Sequence, residues 1–327
     1  MSTDKPMTSP SISVSPGSPD GSTCLSTLAV ADVSSLRRAE GDGVLTAIST
    51  FIPTRRWSVL PGFGPALGFT VLYMSLIVLI PLVALFLKAS EADLATVWKI
   101  LTSHRVFAAF RLTFLASAVA ALINTFSGLV IAWLLVRYRF WGRRLVDAFV
   151  DLPFALPTAV AGVALSALMA ENGWVGSLFA PLGIKIAYTP LGIIVALIFV
   201  GLPFVVRTIQ PVLQDFEPEL EEAAATLGAD RWLTFSKVIL PSLAPAMLTG
   251  FALAFARAIG EYGSVIFIAG NRPGMTEIVP LLIVIRLEEF DYQGAAVVAV
   301  TSLLISFALL VVINILQRRL GAHHGRG

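Results

Sequence analysis

From Pro65 onward, stretches almost free of charge alternate with polar segments. Six of these stretches are long: Pro65–Leu87, Leu112–Leu135, Val146–Met169, Thr189–Val206, Ala246–Ile268 and Gly294–Leu316. A hydrocarbon layer of ~30 Å takes ~20 residues of α-helix to cross. Each run is near that length, with Thr189–Val206 the shortest. Lipid offers no partner to an unpaired backbone N–H or C=O, so a spanning run must satisfy its own backbone as a helix. None of the runs alternates with the period of two that marks a membrane barrel. The pattern predicts an all-α integral membrane protein with six transmembrane helices.

An even number of crossings puts both termini on one side, and Lys and Arg identify the cytosolic side. Arg55 and Arg56 precede the first run, and Arg318 and Arg319 follow the sixth. Arg137, Arg139, Arg143 and Arg144 fill the turn between the second and third. The loop between the third and fourth holds only Lys185. Both termini are therefore expected in the cytosol. The first external loop runs against the rule, with Lys88, Lys99, Arg105 and Arg111.

Two shorter apolar patterns lie outside the spans. Leu94, Val97, Trp98 and Leu101 recur at i, i+3, i+4 and i+7, which predicts a short amphipathic helix near the membrane surface. Ile278–Ile285 is too short to span and reads as a re-entrant or interfacial helix. Residues 1–58 are rich in Ser, Thr, Pro and Gly without a long apolar run, and are expected to form a disordered cytosolic tail. Leu25–Val33 is too short and polar for a signal peptide, so the chain is expected to begin at or near Met1. Residues 59–107 then hold the first span and the external amphipathic segment, and residues 318–327 a cytosolic C-terminal tail.

Composition agrees with a lipid environment. The chain is 56% hydrophobic and 13% charged, against about 25% charged in soluble domains. A net charge of +2 argues against a nucleic-acid partner. The single cysteine, Cys24, makes neither an internal disulfide nor a cysteine-based metal site. His323 and His324 sit in a Gly/Arg-rich tail, away from His104, so no metal or catalytic constellation forms. The Gly-x4-Gly-Lys-Ser/Thr phosphate loop is absent. No cofactor is expected on this chain, and any ATP chemistry it depends on has to come from a partner.

The segment between the fourth and fifth runs, Arg207 to Pro241, looks helical and ordered. Pro218 suits the first position of a helix. Glu217, Glu219, Glu221 and Glu222 crowd the first turn, where the helix dipole favours negative charge. Leu220, Ala223, Ala224 and Leu227 make one narrow face of mostly small residues, and Gly228 follows where a C-terminal cap belongs. Asp230 is placed to cap a second helix carrying Trp232, Phe235 and Ile239, which is expected to stop before Pro241. Two short helices at a right-angle turn would present a knob to the cytosol. An amphipathic linker lying on the membrane is the alternative.

Glu222-Ala223-Ala224, then Gly228, Val238 and Leu240-Pro241, in this spacing before the penultimate span, resemble the EAA loop of binding-protein-dependent ABC importers. Val238 stands where that loop usually has isoleucine. The segments Arg137–Phe140, Asp151–Gly162, Pro203–Thr208, Phe267–Asn271 and Arg286–Tyr292 resemble the sulfate/thiosulfate permease subunits of such importers. The likeness covers roughly Leu60 to Arg319. It implies a type I permease core over residues 108–317, with the 207–241 loop as the helix that docks on a separate ATPase. Glu222, Ala223, Ala224 and Gly228 would form that contact, and Leu240-Pro241 would set the return into the membrane. It further implies a homologous second permease subunit, two ATP-binding subunits that use the ATP, and a periplasmic sulfate-binding protein. A bacterial inner membrane would be the location. A molybdate or tungstate permease, a membrane-embedded enzyme or scaffold, and an ion-coupled carrier are the rival readings.

Charges and prolines inside the runs are candidates for the pathway. Arg257 and Glu261 are four residues apart, on one helical face. They read either as a gate, in which a cation draws in a dianion, or as an ion pair locking the fifth span to a neighbour. Asp147 and Asp151 are expected to pair with Arg143 or Arg144. Pro153 and Pro157 interrupt backbone hydrogen bonds and read as residues lining a cavity, or as simple kinks.

Overall fold

The structure, a computed structural model, describes residues 63–324, with side chains described for 64–317. The expected disordered tail, residues 1–58, lies outside them. The chain divides into two units, Met1–Phe69 and Thr70–Gly327. Of the first, only the opening turns of α1 are described.

Every regular element among the described residues is helical. In order these are α1 (Phe63–Ser90), α2 (Leu94–Leu101), α3 (His104–Arg137), α4 (Arg143–Ala155), α5 (Thr158–Met169), α6 (Gly176–Phe179), α7 (Pro190–Gln214), α8 (Pro218–Thr226), α9 (Arg231–Thr234), α10 (Leu240–Ile259), α11 (Gly263–Ala269), α12 (Val279–Glu288) and α13 (Tyr292–His324). A 3₁₀ turn, Ala180–Leu182, follows α6, and a five-residue π turn, Phe235–Ile239, joins α9 to α10. Continuous helices long and apolar enough to cross a membrane are formed by α1, α3, α7, the α9–α10 stretch and α13; α4 with α5 makes a sixth crossing if the bent pair counts as one.

Two predicted spans are corrected. Val146–Met169 is not one helix: α4 and α5 meet at 116°. Leu156 is extended, as the residue before a proline prefers, and Pro157 caps α5. Ala246–Ile268 is also broken, because α10 ends at Ile259 and α11 starts at Gly263. The other spans hold, and α3, α7 and α13 run beyond the predicted ends. The amphipathic helix at Leu94 and the short helix near Ile278 both form, as α2 and α12.

The core lies where α3, α7 and α10 meet. Leu135, Val205, Val206, Ile209, Leu243 and Phe255 are buried there. Helices in lipid gain little from burying apolar side chains against each other, so close backbone approach through small residues does the packing. Gly128 of α3 lies against Val205 of α7: a Cβ at Gly128 would come 2.7 Å from Val205 Cγ1. Gly250 of α10 approaches the same residue, and a Cβ there would stand 3.1 Å from Val205 Cα. By contrast, α1 exposes most of its apolar side chains, with Leu72 at 66%.

The cations that broke the positive-inside pattern are partly neutralised. Lys88 pairs with Glu91 at 2.6 Å. Arg105 forks onto Glu277 at 2.7 and 2.8 Å.

Candidate functional site

The Arg207–Pro241 segment is built as its sequence suggests, with one exception. Pro218 opens α8, and Glu219 and Glu221 lie in its first turn. Its end is a Schellman cap: Ala229 N–H donates to the Ala224 carbonyl and Gly228 N–H to that of Ala225. Gly228 sits at φ +83°, where an L side chain is strained. Asp230 then accepts a hydrogen bond from Leu233 N–H at 2.7 Å, capping α9.

The exception is the second helix, which was expected to stop before Pro241. It runs on through α10 instead. In the π turn Leu240 N–H reaches back five residues to the Phe235 carbonyl. Proline has no N–H to contribute to an α turn, and this local change of pattern lets the helix pass through Pro241. Pro241 therefore lies in the opening turn of a membrane helix.

The expected contact residues reach solvent together. Glu222, Ala223 and Gly228 are exposed and Ala224 is half-buried. Leu220 beside them is 46% exposed and Leu227 is 88% exposed. The opposite edge of α8 is anchored: Glu221 pairs with Arg137 at the end of α3. That guanidinium lies over the Trp133 ring at 5.4 Å and near Phe216 at 6.0 Å. Trp133 meets Phe235 of the π turn edge-on at 5.4 Å. These aromatic faces favour a cation and partly shield its pair from water.

Arg207 was seen in the sequence only as the start of this loop. It is the anchor of α4. It donates to Asp151 at 2.9 and 2.5 Å and to Asp147 at 2.8 Å, with Gln210 at 2.6 Å completing the set. The expected pairing of those aspartates with Arg143 or Arg144 is thereby corrected. Asp147 and Asp151 are one helical turn apart, and a single planar guanidinium from α7 bridges both.

The second candidate region is where the broken spans meet. Arg257 pairs with Glu261 at 2.5 Å, and the carboxylate is 2% exposed while the guanidinium is 34% exposed. The other Glu261 oxygen accepts from Ser264 N–H at 3.0 Å and from its hydroxyl at 2.9 Å. The pair therefore lies within one span and bridges its break. Next to it, α11 lies on α5. A Cβ on Gly162 would stand 2.5 Å from the Ser264 carbonyl oxygen, and one on Gly263 would overlap the Thr158 hydroxyl. Pro157 is exposed at the bend that starts α5, and Pro153 is half-buried within α4. The structure thus brings Pro157 and Glu261 to two neighbouring breaks, with Pro153 one turn before the first.

Sequence reading missed three further contacts: Arg137–Glu221, Arg105–Glu277 and Arg286–Asp291. The first two join residues 84 and 172 positions apart. Arg286–Asp291 is local, at 2.6 Å, and Asp291 also accepts from Gly294 N–H at the start of α13. An Asp three residues before a glycine in an opening helix was the available signal for that one.

Comparison with known proteins fits this geometry. Residues 124–322 match the family described as the binding-protein-dependent transport system inner membrane component. The chain is 51% identical over 263 residues to the sulfate transport system permease protein CysT of Escherichia coli (strain K12), covering 80% of this chain and 95% of that one. It is 49% identical over 249 residues to the protein of the same name from Synechocystis sp. (strain ATCC 27184 / PCC 6803 / Kazusa), covering 76% and 87%. Among solved structures, it is similar in fold to a chain of a bacterial ABC transporter involved in import of the acidic polysaccharide alginate. There the TM-score is 0.66 at 15% identity, over 78% of this chain and 94% of the other. With its exposed loop, its multiple apolar crossings and this degree of likeness, the chain belongs to the family of inner membrane components of binding-protein-dependent transport systems.

Proposed function

We propose that this protein is the permease subunit of an ATP-driven importer of sulfate, and of the related anion thiosulfate, forming half of the translocation pathway. The observation that carries the reading is the exposed acidic and small-residue face of α8, in a chain about half identical to sulfate permeases over most of its length. The other half would be a homologous second permease. Two ATP-binding subunits would sit below, and a periplasmic binding protein would deliver the anion from above. The chain binds no nucleotide or other cofactor itself on this reading. The Arg-rich turn between α3 and α4 and the α8 loop face the cytosol, as do both termini.

In this mechanism Glu222, Ala223, Ala224 and Gly228 form the contact with the ATPase. The alanines and the glycine let a partner groove approach the α8 backbone closely. The Schellman cap at Gly228 turns the chain back so that α9 and the π turn can re-enter through Leu240 and Pro241. Closure of the ATPase pair on ATP would move this loop as a rigid body and bias the permease between two conformations. The breaks in the third and fifth spans supply what continuous helices cannot: backbone ends inside the membrane, as in other transporters with interrupted helices. Pro153 and Pro157 shape one break. Arg257, held by Glu261, brings positive charge toward the other. Binding a dianion there would loosen the ion pair, and re-forming the pair would favour release.

Growth of a deletion strain tests the reading. Loss of growth on sulfate as sole sulfur source, restored by this gene, is the expected result. Normal growth on sulfate with loss of molybdoenzyme activity would transfer the assignment to molybdate. Purification of the complex should yield a bound ATPase, which a Glu222→Lys or Gly228→Arg change removes.

A further inference from the structure

We propose that α3 carries movement of the coupling loop to the far side of the membrane, with Arg137 and Arg105 as positioning residues at its two ends. The inference rests on the reading of the 207–241 loop as the ATPase joint and adds how the joint reaches the external face.

α3 is one unbroken helix of 34 residues. At ~1.5 Å per residue it is ~50 Å long, well over the ~30 Å of hydrocarbon. That is long enough for both ends to reach past the lipid core, and each end carries an arginine that grips a separate element. At the loop end, Arg137 pairs with Glu221 of α8; the side chains are 26% and 31% exposed. Phe216, in the turn before α8, and Phe235, in the π turn after α9, pack around the same guanidinium and its Trp133 neighbour. Three parts of the loop thus converge on the last turn of α3. A displacement of α8 that keeps these contacts has to move that turn.

At the other end, Arg105 holds Glu277 through two parallel hydrogen bonds. Glu277 is 1% exposed, so its charge has little water to fall back on. Two turns into the helix, the Thr113 hydroxyl accepts from Val279 N–H at 2.9 Å. Glu277 and Val279 flank the start of α12, directly after the α11 half of the broken fifth span. The third and fifth spans are each interrupted between those two levels. α3 has no break, so it is the continuous element able to transmit displacement between its ends.

If α3 couples the two faces, perturbing its contact at either end biases the same equilibrium and has the same effect. The test uses the full complex in proteoliposomes: both permeases, the ATPase subunits and the sulfate-loaded binding protein. Arg137→Gln and Glu277→Gln are each expected to leave the co-purified ATPase and its basal hydrolysis unchanged. Each should lower sulfate uptake and binding-protein-stimulated hydrolysis by about tenfold. Arg137→Lys keeps the charge and should retain most of the stimulation, and the exchange Arg137→Glu with Glu221→Arg should recover part of it. Stimulation equal to the parent in both single variants overturns the proposal. So does loss of the bound ATPase or of assembled complex in Arg137→Gln and Arg137→Lys alike, which would mark a purely structural contact. A parent complex that purifies with no ATPase would instead sink the underlying reading of the loop.

Discussion

α3 and the α10–α11 segment start from comparable runs of apolar sequence and end as different objects. α3 is continuous, and Gly128 brings it onto a side chain of α7. The α10–α11 segment stops at Gly260, buries a carboxylate at the stop, and restarts against the backbone of α5. The difference shows a division of labour inside one bundle. Continuous helices with small-residue seams hold the fold together. The interrupted one places a paired charge at its break and packs there against α5 through small residues.

The sharpest way to break this contrast is at Gly162. A side chain there meets the Ser264 backbone, which cannot rotate away. Gly162→Val should destabilise the subunit by about 3 kcal/mol, the upper end for overpacking. Thermal unfolding in detergent, together with the amount of assembled complex, would register it; a stability equal to the parent would mean that the two broken spans are not tightly joined.

Gly128→Ala, in the continuous seam, should be milder. The nearest atom is a Val205 methyl, with Val205 Cβ next at 3.0 Å and the nearest backbone atom, Val206 N, at 3.5 Å, so the loss should be about 2 kcal/mol, below that at Gly162. If it proved as damaging as Gly162→Val, the distinction between the two kinds of seam would collapse.

Arg257→Gln probes the charge at the break. Glu261 keeps its two bonds from Ser264, so assembly should survive while sulfate uptake falls by about tenfold, the scale of one lost charge-assisted contact. Should assembly fail along with uptake, the pair is a structural brace and the gate idea has no support.

Gly228→Ala tests the loop instead. Its Cβ has open space, so the penalty comes only from φ +83° and should be about 1 kcal/mol. A weaker hold on the ATPase in co-purification, with the melting point of the membrane bundle nearly unchanged, is the expected readout.

The continuous helices were legible because hydropathy over one window suffices to define them. The breaks were legible only as candidates: Pro153 and Pro157 stand out as interruptions of the third run, but the residues that make breaks are no different in kind from residues that make none. Pro203 and Pro211 stay within α7, Pro245 within α10 and Pro81 within α1, yet the chain turns at Pro157. What decides is tertiary: α5 and α11 need the bend to lie against each other. The loop face was readable because its capping is local, from Pro218 to Asp230. Its anchor on Arg137 was not, because a charge in a sequence does not declare a partner 84 residues away. The same holds for Arg207, whose two aspartates lie 56 and 60 positions off.

The π turn at Phe235–Ile239 sets a counting rule for this chain. It fits one residue more than an α turn into about one turn of helix, so it takes up that residue without changing the phase of the helix on either side. Deleting one residue there would let an ordinary α turn form with the flanking helices nearly in their present register. Deleting one residue from the α part of α10 would instead turn the knob formed by α8 and α9 by ~100°. Length is therefore tolerated at this one point and constrained on the membrane side of it. A single-codon deletion within Phe235–Ile239 would be expected to yield a protein that still meets its motor, and one further into α10 a protein that inserts and folds yet does not.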